Sequence, residues 1–286
     1  MNNVIHEMLN RYSVNELSDK KDALKEVVQE IVLCGLSRAG FFQKAAFYGG
    51  TALRIFHGLD RFSEDLDFSL KISDESFRLS DYFSALRKEV SAYGLNVEIS
   101  EKIKSDKSAV QSAFLKGNTK EHMLLFYSAD RTIEQVPGNE KIKIKFEIDT
   151  NPPAFASYER KYRLLPVPYD VMLYDLPSLF AGKVHAVICR AWKNRIKGRD
   201  LYDYVFFLSK GVHLNVEHLK SRLVDSGAWN EDESFNVTDA KRLLCERFES
   251  IDYHQAKSDV LPFVKNSGVL DIWSTDFFKQ ITEDLK

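Results

Sequence analysis

GGTALRIFHGLDRFSEDLDFSL, residues 49–70, is the stretch on which the reading of this chain turns. The glycine pair Gly49-Gly50 precedes a run from Thr51 to His57 whose spacing predicts a short helix, with Gly58 as its stop. DLDFSL then alternates strictly. Leu66, Phe68 and Leu70 take one face and Asp65, Asp67 and Ser69 the other, which predicts a half-buried strand. Two carboxylates two residues apart on a strand leave the same face. So placed they can bind one or two hard divalent cations, Mg2+ or Mn2+, which favour carboxylate and phosphate oxygens. Two such ions can bridge the attacking and leaving oxygens of an in-line phosphoryl displacement. A bare Asp-x-Asp is equally compatible with a solvated strand face, so its neighbours matter. Gly49 and Gly50 let the backbone approach a triphosphate closely, and the N–H groups of a helix start near Thr51 favour anions. In the loop before the acids, Arg61 can contact phosphate, and Ser63 can donate to phosphate or cap a turn.

Working outward, residues 22–36 carry Leu24, Val27, Val28, Ile31, Val32 and Leu36 at helical spacing. A second helix is predicted over 81–93, closed by Gly94, and strands over 95–100 and 122–128. KIKIKFEID, residues 141–149, alternates again, with Ile142, Ile144, Phe146 and Ile148 inward and Lys143, Lys145, Glu147 and Asp149 outward. Pro152 and Pro153 end it. Residues 154–176 read as a connector with one short strand. Helical patterns then take over at 178–196, 200–209, 216–225, 238–250 and 275–285. The organisation is an α+β half to about residue 165 and a helical half from 166 to 286.

In LFAGKVHAVICRAWKNRIKGRDLYD, residues 179–203, the predicted helix puts Val184, Val187, Ile188 and Ala191 on an apolar stripe. Lys183, Arg190, Asn194 and Lys197 share another face. A row of cations like this, with Lys193 and Arg199 nearby, can meet a triphosphate at one end and an RNA backbone at the other. A solvated face of snorkelling side chains is the plain alternative. Tyr202 and Tyr204 can stack on bases or pack in a core.

The chain has 286 residues, enough for two modest domains, and at 44% hydrophobic and 29% charged it is an ordinary globular composition. No stretch approaches a membrane span of about 20 apolar residues, and the first residues lack the basic start and apolar run of a secretory signal. Cys34, Cys189 and Cys245 are far apart and give no zinc spacing. The expectation is a cytoplasmic protein without a membrane partner. The net charge of −2 is not that of a global nucleic-acid binder, so a polyanion must be met by a local patch. His57 and His185 lack spaced partners for a metal site and read as structural or as supports behind the site residues.

The string 49–70 closely resembles the signature of the AbiEii/AbiGii toxin family of nucleotidyltransferases, in the DNA polymerase β-like superfamily. The family pattern, a Gly-Gly/Ser pair and then Ser-x-Asp-x-Asp, is matched at Gly49, Gly50, Ser63, Asp65 and Asp67. The resemblance implies an N-terminal nucleotidyltransferase domain of mixed sheet, residues 1–165, and a helical domain, 166–286, that completes its cleft. It implies a third carboxylate on a neighbouring strand. The family's Lys-x-Glu/Asp-Ile pattern favours Glu147, whereas Asp149 lies nearer the strand end, and both stay open. It implies that Lys183 contacts the nucleotide phosphates. Asp200, flanked by Arg199 and Asp203, either orients Lys183 or caps the next helix. It further implies NTP as substrate, a toxin of a toxin–antitoxin or phage-defence module, tRNA 3′ ends as acceptor and an antitoxin encoded next door. The alternatives are transfer to a protein or small molecule, which the acidic net charge keeps open, and an inactive nucleotide- or RNA-binding module, against which the clustered acids and Lys183 argue.

Overall fold

The computed structural model describes residues 3–102, 109–127, 130–190 and 197–286. The chain divides into two compact units: Met1–Thr51, Glu64–Pro152 and Arg160–Leu173 form the first, and Ala52–Ser63, Pro153–Glu159 and Tyr174–Lys286 the second. Among the described residues no helix is long and apolar enough to cross a membrane.

The chain starts with helices α1 (Asn3–Leu9) and α2 (Leu17–Arg38), then strand β1 (Ala45–Tyr48), helix α3 (Gly49–His57) and strand β2 (Leu66–Leu70). Helix α4 (Phe83–Ala92), strands β3 (Val97–Lys102) and β4 (Val110–Asn118), helix α5 (Thr119–Phe126) and strands β5 (Lys141–Asp149), β6 (Tyr158–Arg163) and β7 (Tyr169–Tyr174) follow. The seven strands form one mixed sheet in the order β3-β4-β5-β2-β1-β7-β6. β2 runs antiparallel to β1 and parallel to β5.

The alternation read from sequence sorts the two faces of this sheet. Leu66, Phe68 and Leu70 of β2 and Ile142, Ile144, Phe146 and Ile148 of β5 are buried. Against them pack α2 and α4, whose Phe83 ring meets Phe146 edge-on at 6.2 Å. α2 starts from a capping box between Glu16 and Asp19 and stops where Gly40 takes φ 74°. Its buried Glu30 accepts from Nε and Nη2 of Arg163 on β6, at 2.9 and 2.7 Å.

Two expectations give way around the sheet. Of the strand expected over 122–128, the described residues 122–127 are not extended. Asn118 accepts from the Glu121 amide and starts α5, which buries His122, Met123 and Phe126. The strand of this region is β4, just upstream. The connector at 154–176 holds two strands, β6 and β7, instead of one. β6 is an edge strand, YERKYR, whose charges blunt the free edge and hide any apolar alternation.

The second unit continues with α6 (Leu176–Cys189), α7 (Gly198–Ser209), α8 (Val216–Asp225), α9 (Val237–Glu249), α10 (Tyr253–Val260) and α11 (Thr275–Thr282). Asp175 caps α6 by accepting from Ser178 N. The helix predicted to residue 196 ends at Cys189, because Arg190 turns to extended backbone at ψ 122°. Arg247 of α9 then donates to the carbonyls of Val187 and Arg190, satisfying the free helix end. α10 was not expected from the sequence. The core is aromatic: Phe180 stacks on Phe207 at 4.7 Å, and Tyr204 and Phe248 lie beside them. Tyr204 is fully buried with its hydroxyl 2.7 Å from Thr282 Oγ1, so it packs and does not face a base.

The start of α7 crosses α10 with no room for a side chain. A Cβ on Gly198 would lie 1.8 Å from the Ala256 carbonyl oxygen. Alanine is the better helix former by about 1 kcal/mol, yet here the collision must dominate. Gly198→Ala is expected to lower stability by about 3 kcal/mol or more, read by urea denaturation. An unchanged midpoint would mean that α7 and α10 are not this close.

Candidate active site

Asp65 stands just before β2, and its carbonyl accepts from Thr51 Oγ1 at 2.5 Å, tying the start of α3 to the acids. That hydroxyl is buried and engaged, so Thr51 offers a ligand its backbone and not its side chain. Asp67 lies on β2 opposite Tyr48 of β1. Gly49 has φ 84°, and a Cβ built on it would sit 2.6 Å from Asp67 Oδ2. Both the backbone angle and the approach of the carboxylate therefore require glycine. Gly50, next in α3, is buried.

The register of β2 on β5 pairs Asp67 with Glu147 and Ser69 with Asp149. Paired residues share a face, so Glu147 is the carboxylate beside Asp67 and Asp149 is one step further along. Glu147 is held at both oxygens, Oε1 accepting from Ser112 Oγ at 2.6 Å and Oε2 from Lys145 Nζ at 2.5 Å. Asp149 accepts from the Asn151 amide at 3.0 Å. Ser112 gave no signal in the sequence because β4 itself was not read there; Lys145 was legible as a partner two residues away on the same strand.

The Asp65 carboxyl is pushed above its ordinary value. The side chain keeps solvent access, but the protein packed around it disfavours the charge most, Glu64 and Glu147 add to this, and Lys145 and Lys25 oppose it. Lys25 is itself paired with Glu64 at 2.8 Å. Among the described residues no group of three or more His, Cys, Asp or Glu side chains is gathered tightly enough to hold a metal ion alone. The donor set is nevertheless all carboxylate oxygen, and Gly49 leaves Asp67 without a side chain across it. That chemistry fits a hard cation that draws the rest of its shell from phosphate and water.

The second unit holds a separate ionic cluster. Lys183 Nζ lies 2.7 Å from Asp203 Oδ2 and 3.2 Å from Asp200 Oδ1. Arg61 grips Asp203 with Nε at 2.7 Å and Nη2 at 2.6 Å, and Arg190 pairs with Asp200. Burial alone would push the Lys183 ammonium down and the Asp203 carboxyl up. The neighbouring opposite charges win in both cases, so Lys183 is raised and Asp203 lowered.

This geometry corrects three expectations and narrows a fourth. Arg61 is not presented to a phosphate: it is 2% exposed, and its guanidinium is taken up by Asp203 and the Phe62 carbonyl. Asp200, left open between capping α7 and orienting Lys183, stands where the second reading puts it. It lies in the first turn, Lys197 occupies the cap position, and the Asp200 carboxylate faces Lys183 and Arg190. Lys183, Arg190 and Lys197 do not form one helical row, since α6 ends before Arg190. Arg199 is stacked on Phe263 at 4.2 Å and 3.7 Å from Asp259, which leaves little of it for RNA. Lys193 and Asn194 lie outside the described residues. Lys197 is half-buried, and burial, with Arg190 nearby, pushes its ammonium down. Ser63 is half-buried in the loop of the second unit. His57 lies 3.5 Å from the Glu159 carboxylate, and His185 is pushed down to about 4 by burial and then by Arg222, so it is neutral near pH 7.

Comparison with known proteins completes the picture. The chain superposes on MenT4, a nucleotidyltransferase toxin of Mycobacterium tuberculosis H37Rv, with a TM-score of 0.53 and 14% identity, over 100% of this chain and 90% of that one. JHP933 of Helicobacter pylori matches with a TM-score of 0.43 and 18% identity, over 95% of each chain. At these identities only the fold is shared, and it is read from the MenT4 match. No curated protein sequence matches. Residues 31–280 match the family model described as nucleotidyl transferase AbiEii toxin of type IV toxin–antitoxin systems. With most of its length so matched, on an α+β fold with a mixed sheet, the chain belongs to the AbiEii nucleotidyltransferase toxin family.

Proposed function

We propose that the chain transfers a nucleoside monophosphate from an NTP to the 3′ end of an RNA, tRNA being the acceptor that the family resemblance suggests, and that it needs a divalent cation, magnesium or manganese. The observation that carries this reading is the pairing of Asp67 with Glu147 on adjacent strands, backed by the bare Cα of Gly49. Asp65 and Asp67 would hold the cation, which when bound neutralises charge on the phosphate oxygens. The amides at the start of α3, at Gly50 and Thr51, favour the triphosphate. Glu147, kept in place by Ser112 and Lys145, accepts the proton of the attacking hydroxyl. The hydroxyl oxygen bonds to the α-phosphorus, the bond from that phosphorus to the bridging oxygen breaks, and pyrophosphate leaves with the electron pair. The register favours Glu147 over Asp149 for this role. Most of the rate enhancement comes from positioning and charge. Lys183 as the cation for the nucleotide phosphates rests on the family motif, with Asp200 and Asp203 orienting it. As a member of a toxin–antitoxin family, the chain would be held in check by a cognate antitoxin.

The deciding experiment incubates the chain with each labelled NTP, magnesium and total RNA, then separates RNA, protein and small molecules. Label at RNA 3′ ends is expected. Label in protein or a small molecule would replace the acceptor, and no label anywhere would remove the reading.

Asp65→Asn and Asp67→Asn should reduce transfer to background. The Asp65 carboxyl is raised in the folded chain, so its ionisation disfavours folding as pH rises past its ordinary value, and Asn lifts that burden at neutral pH. The melting temperature of Asp65→Asn should equal or exceed that of the wild type. Wild-type transfer by either variant would sink the proposal.

The two cations on Asp203 should behave differently. Arg61→Met leaves Asp203 buried with Lys183 alone and should cost about 3–5 kcal/mol of stability, read by denaturant titration. Lys183→Gln keeps the two-pronged Arg61 grip and should lose less stability, but raise the KM for NTP about tenfold or more. An unchanged KM would remove Lys183 from nucleotide binding.

A further inference from the structure

The acids do not stand alone on their sheet face. Along β5, Lys141, Lys143 and Lys145 alternate on the face that also carries Glu147. They stand about 7 Å apart. The β4 register adds Lys116 opposite Lys143, Phe114 opposite Lys145 and Ser112 opposite Glu147. Lys143 Nζ lies 4.1 Å, and Lys116 Nζ 5.4 Å, from the centroid of the Phe114 ring. Lys141 and Lys143 are exposed, as are Ser100 and Lys102 on the same face of β3. The other face of these strands is closed: Ile99, Leu115, Ile144 and Phe146 are buried under α4 and α2.

Such a face is unusual for a chain of net charge −2. Among the described residues no carboxylate forms an ion pair with Lys116, Lys141 or Lys143, and Glu98 is the one acid of β3 that the register places beside Lys116. A solvated sheet face needs no aromatic. Here a half-buried ring sits among cations whose strip ends at the candidate acids. Cations at strand spacing meet the phosphates of an extended polyanion, and a ring on an open sheet stacks an unpaired base. A duplex would have its bases covered and could not use the ring.

We infer that the β3-β4-β5 face is a docking platform for single-stranded RNA, with Lys116, Lys141 and Lys143 on phosphates and Phe114 under a base, delivering the strand end to Asp67 and Glu147. The platform rests on the reading of RNA as acceptor. Strand polarity follows from the placement: the reacting end lies at the Glu147 end of β5 and the body of the strand runs toward Lys141.

The test uses the full chain and a short fluorescent single-stranded RNA, with anisotropy followed across a salt series and folding checked by thermal melting. The double variant Lys116→Gln/Lys143→Gln should weaken binding at least tenfold and flatten the slope of log affinity on log salt by about 1.4, at about 0.7 per lost phosphate contact. Phe114→Leu, which keeps an apolar body, should weaken binding about tenfold, and duplex RNA should compete poorly. Lys210→Gln, on the second unit, should bind as the wild type does. Overturning results are unchanged binding by the lysine double variant, or duplex that competes as well as single strand with no effect of Phe114→Leu. Transfer assays run in parallel separate the two readings. A chain that labels no RNA but binds the strand through these lysines upholds the platform and overturns the acceptor. A lysine double variant that labels RNA at wild-type efficiency upholds the acceptor and overturns the platform.

Discussion

The register of β2 against β5 is the constraint from which the rest of the first unit follows. Side chains alternate with period two, so a slip of one residue would send Asp67 and Glu147 into the apolar face and Phe68 and Phe146 into solvent. Either move is prohibitive: a lone carboxylate under α2 and α4 would be unpaired and dry. The burial of Phe68, Phe146 and Ile148 thus fixes where the carboxylates stand, although none of these apolar groups touches a substrate. Gly49 adds the other half of the constraint, since its left-handed backbone turns β1 into α3 directly across Asp67. Hydrophobic packing on one face and a missing side chain on the other jointly position an acidic pair that mutual repulsion would otherwise drive apart.

The ionic cluster of the second unit follows a different logic. Asp203 is wholly buried, and a buried charge is tolerated only when its partners satisfy it. Arg61 supplies two parallel donors and Lys183 a third, so the carboxylate is fully used. Asp200 takes Lys183 on its other side and Arg190 at its second oxygen. Three cations face two carboxylates, which leaves the cluster one positive charge in excess. That excess is why Lys183 differs from a lysine merely neutralised by an acid. Arg61 carries the structural load, and this leaves Lys183, the more compact ammonium, suited to the phosphate role proposed for it.

Charge in this protein is local. The net charge of −2 conceals a sheet face rich in lysine, a mixed acidic and basic patch of Lys25, Glu64 and Asp65, and the excess cation around Lys183. Composition averages over these, whereas a ligand meets only one of them at a time, within a screening length of about 8–10 Å.

The sequence by itself determined the local pieces. Strict alternation over 65–70 and 141–149 fixed which residues face in, and the coincidence of glycines, serine and aspartates over 49–67 fixed the family and the acidic pair. Periodicity also located most helices of the second unit, though not α10, because a stripe that must be buried is written along the chain. It failed where burial is not periodic: β6, an edge strand dressed in charge, and α5, where a capped turn overrides an apolar run. Only the tertiary structure decided the pairings. Whether Glu147 or Asp149 stands beside Asp67 depends on strand register, and neighbours 80 residues apart leave no mark on each other in sequence. Arg61 read as a free cation because its partner Asp203 is 142 positions away. Asp200 stayed open between capping α7 and orienting Lys183 because its distance from a helix start is visible in one dimension and its carboxylate's direction is not. Periodicity reports how much of a side chain must be hidden, while the identity of a long-range partner is set by the fold that brings the two together.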